Sequence, residues 1–460
     1  MAENYDLLVI GSGPGGYVAA IRAAQLGMRV GMVERARPGG ICLNWGCIPT
    51  KALLRSSEIY HLGKAAESYG ITVENLRFDL PAMVERSRRV AQQLSAGVQS
   101  LMRKNKVAVI EGSAKLLGKG RISVVKSDAT TEYEARDIIL ATGARARELP
   151  FAPSDGNRIW TYPHALTPPE MPTDLLVIGS GAIGCEFASF FADLGARVTI
   201  VEMLDRILPV EDEEVSRFVT ADFIRQGMTI LTGHRTTALE VEPGRGVVAT
   251  LSGPDGALEP RIFSHVIVAV GIVPNTGNIG LETLGVATER GHVIVDDHGR
   301  TNVEGLWAIG DIVGPPWLAH KASHEGVITA EAIAGLKPHA LDRSRIPGCT
   351  YSRPQVASVG LSEARARELG FRVRTGTAPL SGNGRAITLG DPDGFAKTVW
   401  DDESGELLGA HLVGPEVTEL IQGFVIARQA EATAADLFDA PFPYPTVSRS
   451  MHEAILAAYL

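Results

Sequence analysis

The stretch Tyr5-Asp-Leu-Leu-Val-Ile-Gly-Ser-Gly-Pro-Gly-Gly16 runs on through a helical segment to Leu26 and into Arg29-Val-Gly-Met-Val-Glu34. It reads as an apolar strand, a Gly-x-Gly-x-x-Gly turn, an amphipathic helix, a second strand and a closing acid. Each part has a physical task. Gly11 makes the tight turn, Gly13 lets backbone approach a pyrophosphate, and Gly16 allows close helix–strand packing. The helix N-terminus stabilises phosphate charge, and Glu34 accepts hydrogen bonds from a ribose. A lone glycine triplet is weak evidence, but the chain carries a second copy. It runs Asp174-Leu-Leu-Val-Ile-Gly-Ser-Gly-Ala-Ile-Gly184, a helix to Leu194, then Arg197-Val-Thr-Ile-Val-Glu202. The interval from first glycine to acid is the same in both (Gly11 to Glu34, Gly179 to Glu202), with Gly181 and Gly184 completing the second triplet. The pattern predicts an α/β protein with two Rossmann-like dinucleotide-binding folds.

Shortly after the first copy comes Gly40-Ile-Cys-Leu-Asn-Trp-Gly-Cys-Ile-Pro-Thr-Lys51. Two cysteines in a Cys-x4-Cys spacing beside a dinucleotide cradle suggest a dithiol/disulfide couple exchanging two electrons with a bound redox cofactor. The alternatives are two packed structural thiols or half of a metal site. Zinc would want a second cysteine or histidine pair at similar spacing, which the sequence does not offer.

A chain of 460 residues points to two to four domains. Its 45% hydrophobic residues and 50 glycines suit a well-buried α/β enzyme with many tight turns. A net charge of −9 gives no nucleic-acid footprint. The short basic run Arg86-Ser-Arg-Arg89 is expected on a solvated helix face. Four cysteines are too few for a secreted disulfide scaffold; Cys185 and Cys349 are expected to be inert packed thiols. The N-terminus has no signal-peptide pattern, and no apolar run approaches the ~20 residues a membrane span needs. The expectation is a soluble, cytoplasmic protein.

A long helix is expected over Ala82–Arg103. Ile138–Gly143, His265–Gly271 and Leu306–Asp311 read as apolar strands ending at glycine or acid, closing the nucleotide folds in parallel fashion. The proline-rich stretch Arg147–Thr173 and Pro338–Pro347 mark boundaries. Beyond them, Gln355–Gly360, Ala396–Trp400 and Leu407–Val413 read as antiparallel strands, with helices over Ser362–Leu369 and Glu416–Gln429.

Five motifs together closely resemble the flavin disulfide reductase family, and within it the dihydrolipoamide dehydrogenase branch. They are the two glycine fingerprints; Cys42-x4-Cys47 with Pro49-Thr-Lys51; Ala141-Thr-Gly143; Gly310-Asp311 with Ala319-His-Lys-Ala322; and the tail from Val413–Gly423 to Phe442-Pro-Tyr-Pro-Thr446. The resemblance covers essentially the whole chain. It implies an FAD-binding domain over 1–149, an NAD-binding domain over 150–273, a central domain completing the FAD site over 274–342, and an α+β dimerisation domain over 343–460. It implies FAD contacts at Glu34, Gly40, Lys51, Ala114, Thr142, Gly143, Asp311 and Ala319, and NAD contacts at Glu186, Glu202 and Gly271. Cys42 would be the interchange thiol that meets substrate, and Cys47 the thiolate lying against the flavin. Lys51 would sit near the flavin N5. A homodimer acting on a lipoyl-bearing protein or small dithiol is implied, with no nucleic acid, membrane or metal.

Cofactor choice has an independent argument. A carboxylate at Glu202 hydrogen-bonds a free 2′-hydroxyl and repels a 2′-phosphate, and Arg206 stands without a basic cluster. NAD is therefore expected over NADP.

The family pattern breaks at one place. Members that handle dithiols end in His-Pro-Thr-x-x-Glu, in which the histidine is the acid/base and the glutamate orients it. Here Tyr444 stands at the histidine position and Arg449 at the glutamate position. Imidazole titrates near pH ~6.5 and phenol near ~10, so tyrosine is a poor base at neutral pH. His452 and Glu453 fall on the following helix, where a surface or packing role is expected. Mercuric reductases carry tyrosine there but need a C-terminal cysteine pair, whereas this chain ends Ala457-Ala-Tyr-Leu460. Soluble transhydrogenases carry it too but lack the second redox cysteine. A smaller departure is Gly271-Ile-Val-Pro-Asn275, where many relatives have arginine after the glycine. Three functions compete: a lipoamide-type dehydrogenase with altered acid/base chemistry, an NADH-dependent diaphorase or quinone reductase, and a docking subunit of a multienzyme complex.

Overall fold

The computed structural model describes residues 3–460. The chain forms two compact units, each discontinuous in sequence. One contains residues up to Ala52, Pro81–Arg147 and Ile272–Leu341; the other contains Leu53–Leu80, Glu148–Gly271 and Asp342–Leu460.

The first unit is built on a seven-stranded sheet. Ala108–Glu111, Val30–Glu34, Glu3–Ile10 and Ala129–Leu140 lie side by side in parallel, and Leu306–Ala308 pairs in parallel with Ala129–Leu140. The antiparallel strands Arg121–Lys126 and Ser113–Gly118 complete it. Leu7, Leu8 and Val9 are buried one after another. Continuous rather than alternating apolarity is what a parallel strand covered on both faces requires. On one face the helices Pro14–Gln25 and Ala319–Ile333 pack through small residues. A Cβ at Gly326 would lie 2.6 Å from the Gly15 carbonyl oxygen. Glycine there brings the middle of the later helix against the first turns of the earlier one.

In the second unit the parallel order is Thr229–Thr232, Arg197–Glu202, Asp174–Ile178, His265–Val268, Ile159–Trp160. The last strand comes from inside the proline-rich stretch read as a boundary. Trp160 is wholly buried, and its indole N–H donates to the Asn157 carbonyl at 2.9 Å. Burial of that ring overrides the turn signals around it. A three-stranded antiparallel sheet over residues 235–263 interrupts this fold. The C-terminal region is a five-stranded antiparallel sheet, Gly348–Thr350, Gln355–Gly360, Leu407–Gly414, Phe395–Asp401, Val373–Pro379. The helices Val417–Gln429 and Arg449–Tyr459 cover it through Phe424, Met451 and Ile455 on Trp400. Gly376 lets the last helix lie directly on the sheet, since a Cβ there would collide with the Ala454 carbonyl.

The expected fold class is what forms: two dinucleotide folds and a C-terminal α+β region. The expected helices also form, over Leu80–Lys104, Glu363–Glu368 and Val417–Gln429. One expectation is corrected. The run Arg86–Arg89 is not simply a solvated face. Arg86 donates to the Ala52 carbonyl at 2.9 Å and Arg88 to the Asn44 carbonyl at 2.8 Å, while Ser87 is buried. Arg89 stays outward, paired with Glu85, and Arg86 remains largely exposed while making its bond. The guanidinium groups reach backbone carbonyls in and just beyond the redox segment, which charge patterning alone does not reveal. Among the described residues, no helix is long and apolar enough to cross a membrane.

Candidate active site

The first glycine loop follows directly from the end of its strand. Gly11 has φ +106°, and a Cβ on it would collide with the Ala141 carbonyl. Gly13 is the N-cap of Pro14–Gln25 and supplies no side-chain cap, so the helix amides stay available to an anion. A Cβ on Gly13 would meet nothing within 4 Å, whereas one on Gly16 would collide with the Gly11 carbonyl. Glu34 closes the motif. Its Oε2 accepts the Ser12 amide at 3.0 Å and the Ser12 hydroxyl at 2.5 Å, and its Oε1 accepts the Ala36 amide at 2.8 Å. This is a cradle that a dinucleotide fits: open over the second glycine, uncapped at the helix, with an oriented carboxylate at the end of the second strand.

The second loop repeats the arrangement. Gly179 has φ +94°, Gly181 is an N-cap without a side-chain cap, and Gly184 packs against the Gly179 carbonyl. Glu202 Oε2 accepts the Ser180 amide at 3.0 Å and hydroxyl at 2.7 Å, and its Oε1 accepts the Leu204 amide at 2.9 Å. Glu186 is buried on the helix, where its Oε1 accepts the Tyr351 amide at 2.9 Å. Gly271 has φ +99°. Cys185 is fully buried beside the Ser180 carbonyl, and burial pushes its thiol far above the ordinary range, as expected of a packed thiol. Cys349 is half-buried and free of disulfide.

Cys42 and Cys47 are bonded as a disulfide, with Cα atoms 4.7 Å apart. Cys42 lies in the short helix Gly40–Trp45, and Cys47 is the first residue of the helix Cys47–Lys64. A thiolate at a helix start is favoured by the helix dipole. Lys51 follows one turn later on the same face. Gly40 joins this segment to the glycine loop: its φ is +60°, and a Cβ on it would lie 2.6 Å from Gly13 Cα. Residues that sequence reasoning passed over hold the segment. The buried Asn44 donates to the carbonyls of Arg37, Pro38 and Gly40 at 3.4, 3.1 and 3.0 Å. Thr50 donates to Gly46 at 2.7 Å, and Ser95 to Pro38 at 2.8 Å. Asn44 lies within the cysteine motif, and its position there was the available signal.

Thr142 and Gly143 sit at the end of the central strand. The Thr142 hydroxyl donates to the Asn275 carbonyl at 2.9 Å, and the Asn275 amide side chain returns a bond to the Thr142 carbonyl at 2.9 Å. Ala114 lies in the antiparallel hairpin, half-buried against the same core. Asp311 occupies a turn that follows the strand Leu306–Ala308, and Ala319 opens the helix behind it. In the C-terminal region Tyr444 is 74% exposed, and the Arg449 guanidinium lies 5.8 Å from its ring centroid. Arg449 also pairs with Glu453 at 3.4 Å. His452 packs on Phe442, its Nε2 3.2 Å from the Phe438 carbonyl.

Two dinucleotide cradles and a redox disulfide define a flavin- and nicotinamide-dependent disulfide oxidoreductase, with FAD and NAD as its cofactors. The chain belongs to the pyridine nucleotide-disulphide oxidoreductase family: residues 5–326 match that family and residues 346–455 match its dimerisation domain. It is 56% identical to a dihydrolipoyl dehydrogenase of Zymomonas mobilis, over all of this chain and 99% of the relative. It is 50% identical to one of Rhizobium etli, again over all of this chain and 99% of the relative. Among solved structures it superposes on LpdA of Mycobacterium tuberculosis with a TM-score of 0.92 at 30% identity, covering 99% of each chain. An HOCl-induced flavoprotein disulfide reductase of Escherichia coli, RclA, matches with a TM-score of 0.88 at 26% identity, also over 99% of each chain.

Proposed function

We propose that the protein oxidises the dihydrolipoyl group of a lipoyl-bearing protein, as a cytoplasmic homodimer, with acid/base chemistry that differs from the family pattern. The observation that carries the reading is the Cys42–Cys47 disulfide at a helix start, joined to the first cradle through Gly40. The names of the relatives support the substrate. The dimerisation-domain match supports the assembly, and the small number of cysteines supports the compartment. The division into segments 1–149, 150–273, 274–342 and 343–460 is part of the proposal.

A substrate thiolate attacks Cys42 Sγ, and the Cys47 thiolate leaves toward the helix N-terminus. The second substrate thiol then attacks the mixed disulfide, releasing oxidised substrate and the Cys42 thiolate. Two electrons now reside on the cysteine pair and two protons have left the substrate. FAD, when bound, supplies the means of passing those electrons to NAD as hydride. The first cradle, Glu34, Thr142, Asp311 and Lys51 would hold FAD, with Ala114 and Ala319 beside it. The second cradle, Glu186, Glu202 and Gly271 would hold NAD.

Tyr444 and Arg449 favour a second reading. Without imidazole to take the substrate proton, the dithiol half-reaction is slowed, and NADH-driven reduction of quinones or other acceptors becomes the competing activity. NAD reduction with dihydrolipoamide as donor, run beside NADH oxidation with a quinone acceptor, tests both. Lipoamide turnover supports the first reading; quinone turnover with none for lipoamide supports the second.

A further inference from the structure

Lys321 is wholly buried, and the acceptors around its ammonium include three from one turn and its own helix. Two are backbone carbonyls, Gly310 at 3.1 Å and Gly314 at 2.9 Å. The third is Glu325 Oε1 at 3.1 Å, one helical turn along. The other oxygen of Glu325 accepts the Gly310 amide at 2.8 Å. A closed ring therefore clamps both ends of one turn, whose terminal glycines have φ +78° and +102°. That turn carries Asp311. Among the described residues none donates a hydrogen bond to the Asp311 carboxylate. A buried ion pair is weak evidence for stability, so a geometric use is the better account of this one.

We propose that Lys321 and Glu325 are positioning residues for Asp311: the pair fixes its turn, and the Lys321 ammonium opposes the burial and the Glu325 charge that work against the carboxylate, which accepts hydrogen bonds from the polyol hydroxyls of FAD. The inference rests on the reading of Asp311 as an FAD ligand. Its chemistry is that of opposed charges. Burial, the largest influence, leaves the Asp311 carboxyl above its ordinary range and Glu325 pushes the same way, while Lys321 and His292 pull against them. Removing Lys321 favours the protonated acid, which donates one hydrogen bond in place of an acceptor pair. Removing the Glu325 charge does the opposite.

The test is the pH at which the full-length protein, reconstituted with FAD, releases it, read by recovery of flavin fluorescence with circular dichroism as the check on folding. Lys321→Met should move the release midpoint upward and Glu325→Gln downward, each by at least about half a pH unit. His292→Gln in both backgrounds accounts for the remaining cation. Opposite shifts are not what general loosening of the fold produces, and both should vanish when combined with Asp311→Asn. Midpoints that move together, do not move, or move equally in the Asp311→Asn background overturn the proposal. If Lys321→Met does not fold, the near-isosteric Glu325→Gln decides alone: no downward shift overturns it. Wild-type FAD affinity and midpoint in Asp311→Asn would instead sink the reading of Asp311 itself, whatever the pair does.

Discussion

Ser180 donates both its backbone amide, at 3.0 Å, and its hydroxyl, at 2.7 Å, to a single carboxylate oxygen of Glu202. Ser12 does the same for Glu34 in the other fold, at 3.0 and 2.5 Å. The residue between the first two glycines thus orients the acid that ends the second strand.

Selectivity between nicotinamides should follow. If Glu202 is the ribose-binding acid, as proposed, its charge opposes a 2′-phosphate. Glu202→Ala should lower the NADH/NADPH ratio of kcat/KM by at least about tenfold. Ser180→Ala should lower it less, by releasing the carboxylate rather than removing it. Stopped-flow reduction by each nicotinamide checks this, and an unchanged ratio in Glu202→Ala contradicts the assignment.

The cysteines should behave unequally. Two-electron reduction should give a long-wavelength absorbance from the Cys47 thiolate against the flavin. Cys42→Ser should keep that band while losing dithiol turnover, and Cys47→Ser should lose both. Persistence of the band without Cys47 would reverse the roles. Asn44→Ala, which frees three carbonyls around this segment, should cost about 1–3 kcal/mol in thermal stability.

The altered dyad has a pH signature. Dihydrolipoamide must lose a proton before its thiolate attacks, and on the proposed reading the tail brings tyrosine and arginine, not histidine and glutamate, to that step. Lipoamide turnover should keep rising toward alkaline pH. Tyr444→His with Arg449→Glu should restore a near-neutral optimum, and more than either change alone, because the two act as a unit. A positioned general base is worth ~10²–10⁴ in rate. A wild-type rate and optimum equal to the double variant would show that another group supplies the base.

Lys397 defines a stability test in the second unit. Its buried ammonium lies 3.1 Å from Asp212, 2.8 Å from Glu363 and 3.3 Å from Glu214. Burial pulls Lys397 down, but its bonds to Glu363 and Asp212 outweigh this and raise it. Burial pushes Asp212 up, yet His411 and Lys397 outweigh it and leave the carboxyl below its usual range. A carboxyl depressed in the folded state contributes stability above its unfolded value, near ~3.9, and loses it as pH falls through the folded value. Lys397→Met should therefore destabilise by about 3–5 kcal/mol at neutral pH. The gap to wild type should narrow below pH ~4, as the stranded carboxylates protonate. Urea unfolding at pH 7 and pH 3 measures it; a gap of equal size at both contradicts the charge account.

The sequence by itself determined the two dinucleotide folds, the redox pair and the tyrosine and arginine of the tail, Tyr444 and Arg449. These are written in local pattern: glycines where backbone must turn or be approached, an acid at a fixed interval, cysteines within one turn of a helix start. Tertiary structure decided what holds those parts in place. Arg88 looks like a solvated charge until the long helix brings it to the Asn44 carbonyl. Trp160 looks like part of a linker until its burial makes a strand. Lys321 and Glu325 are a helical pair whose purpose depends on a turn some ten residues earlier folding against them. Buried polar groups take whatever partners the packing delivers, and those partners are distant in sequence, so no local pattern records them.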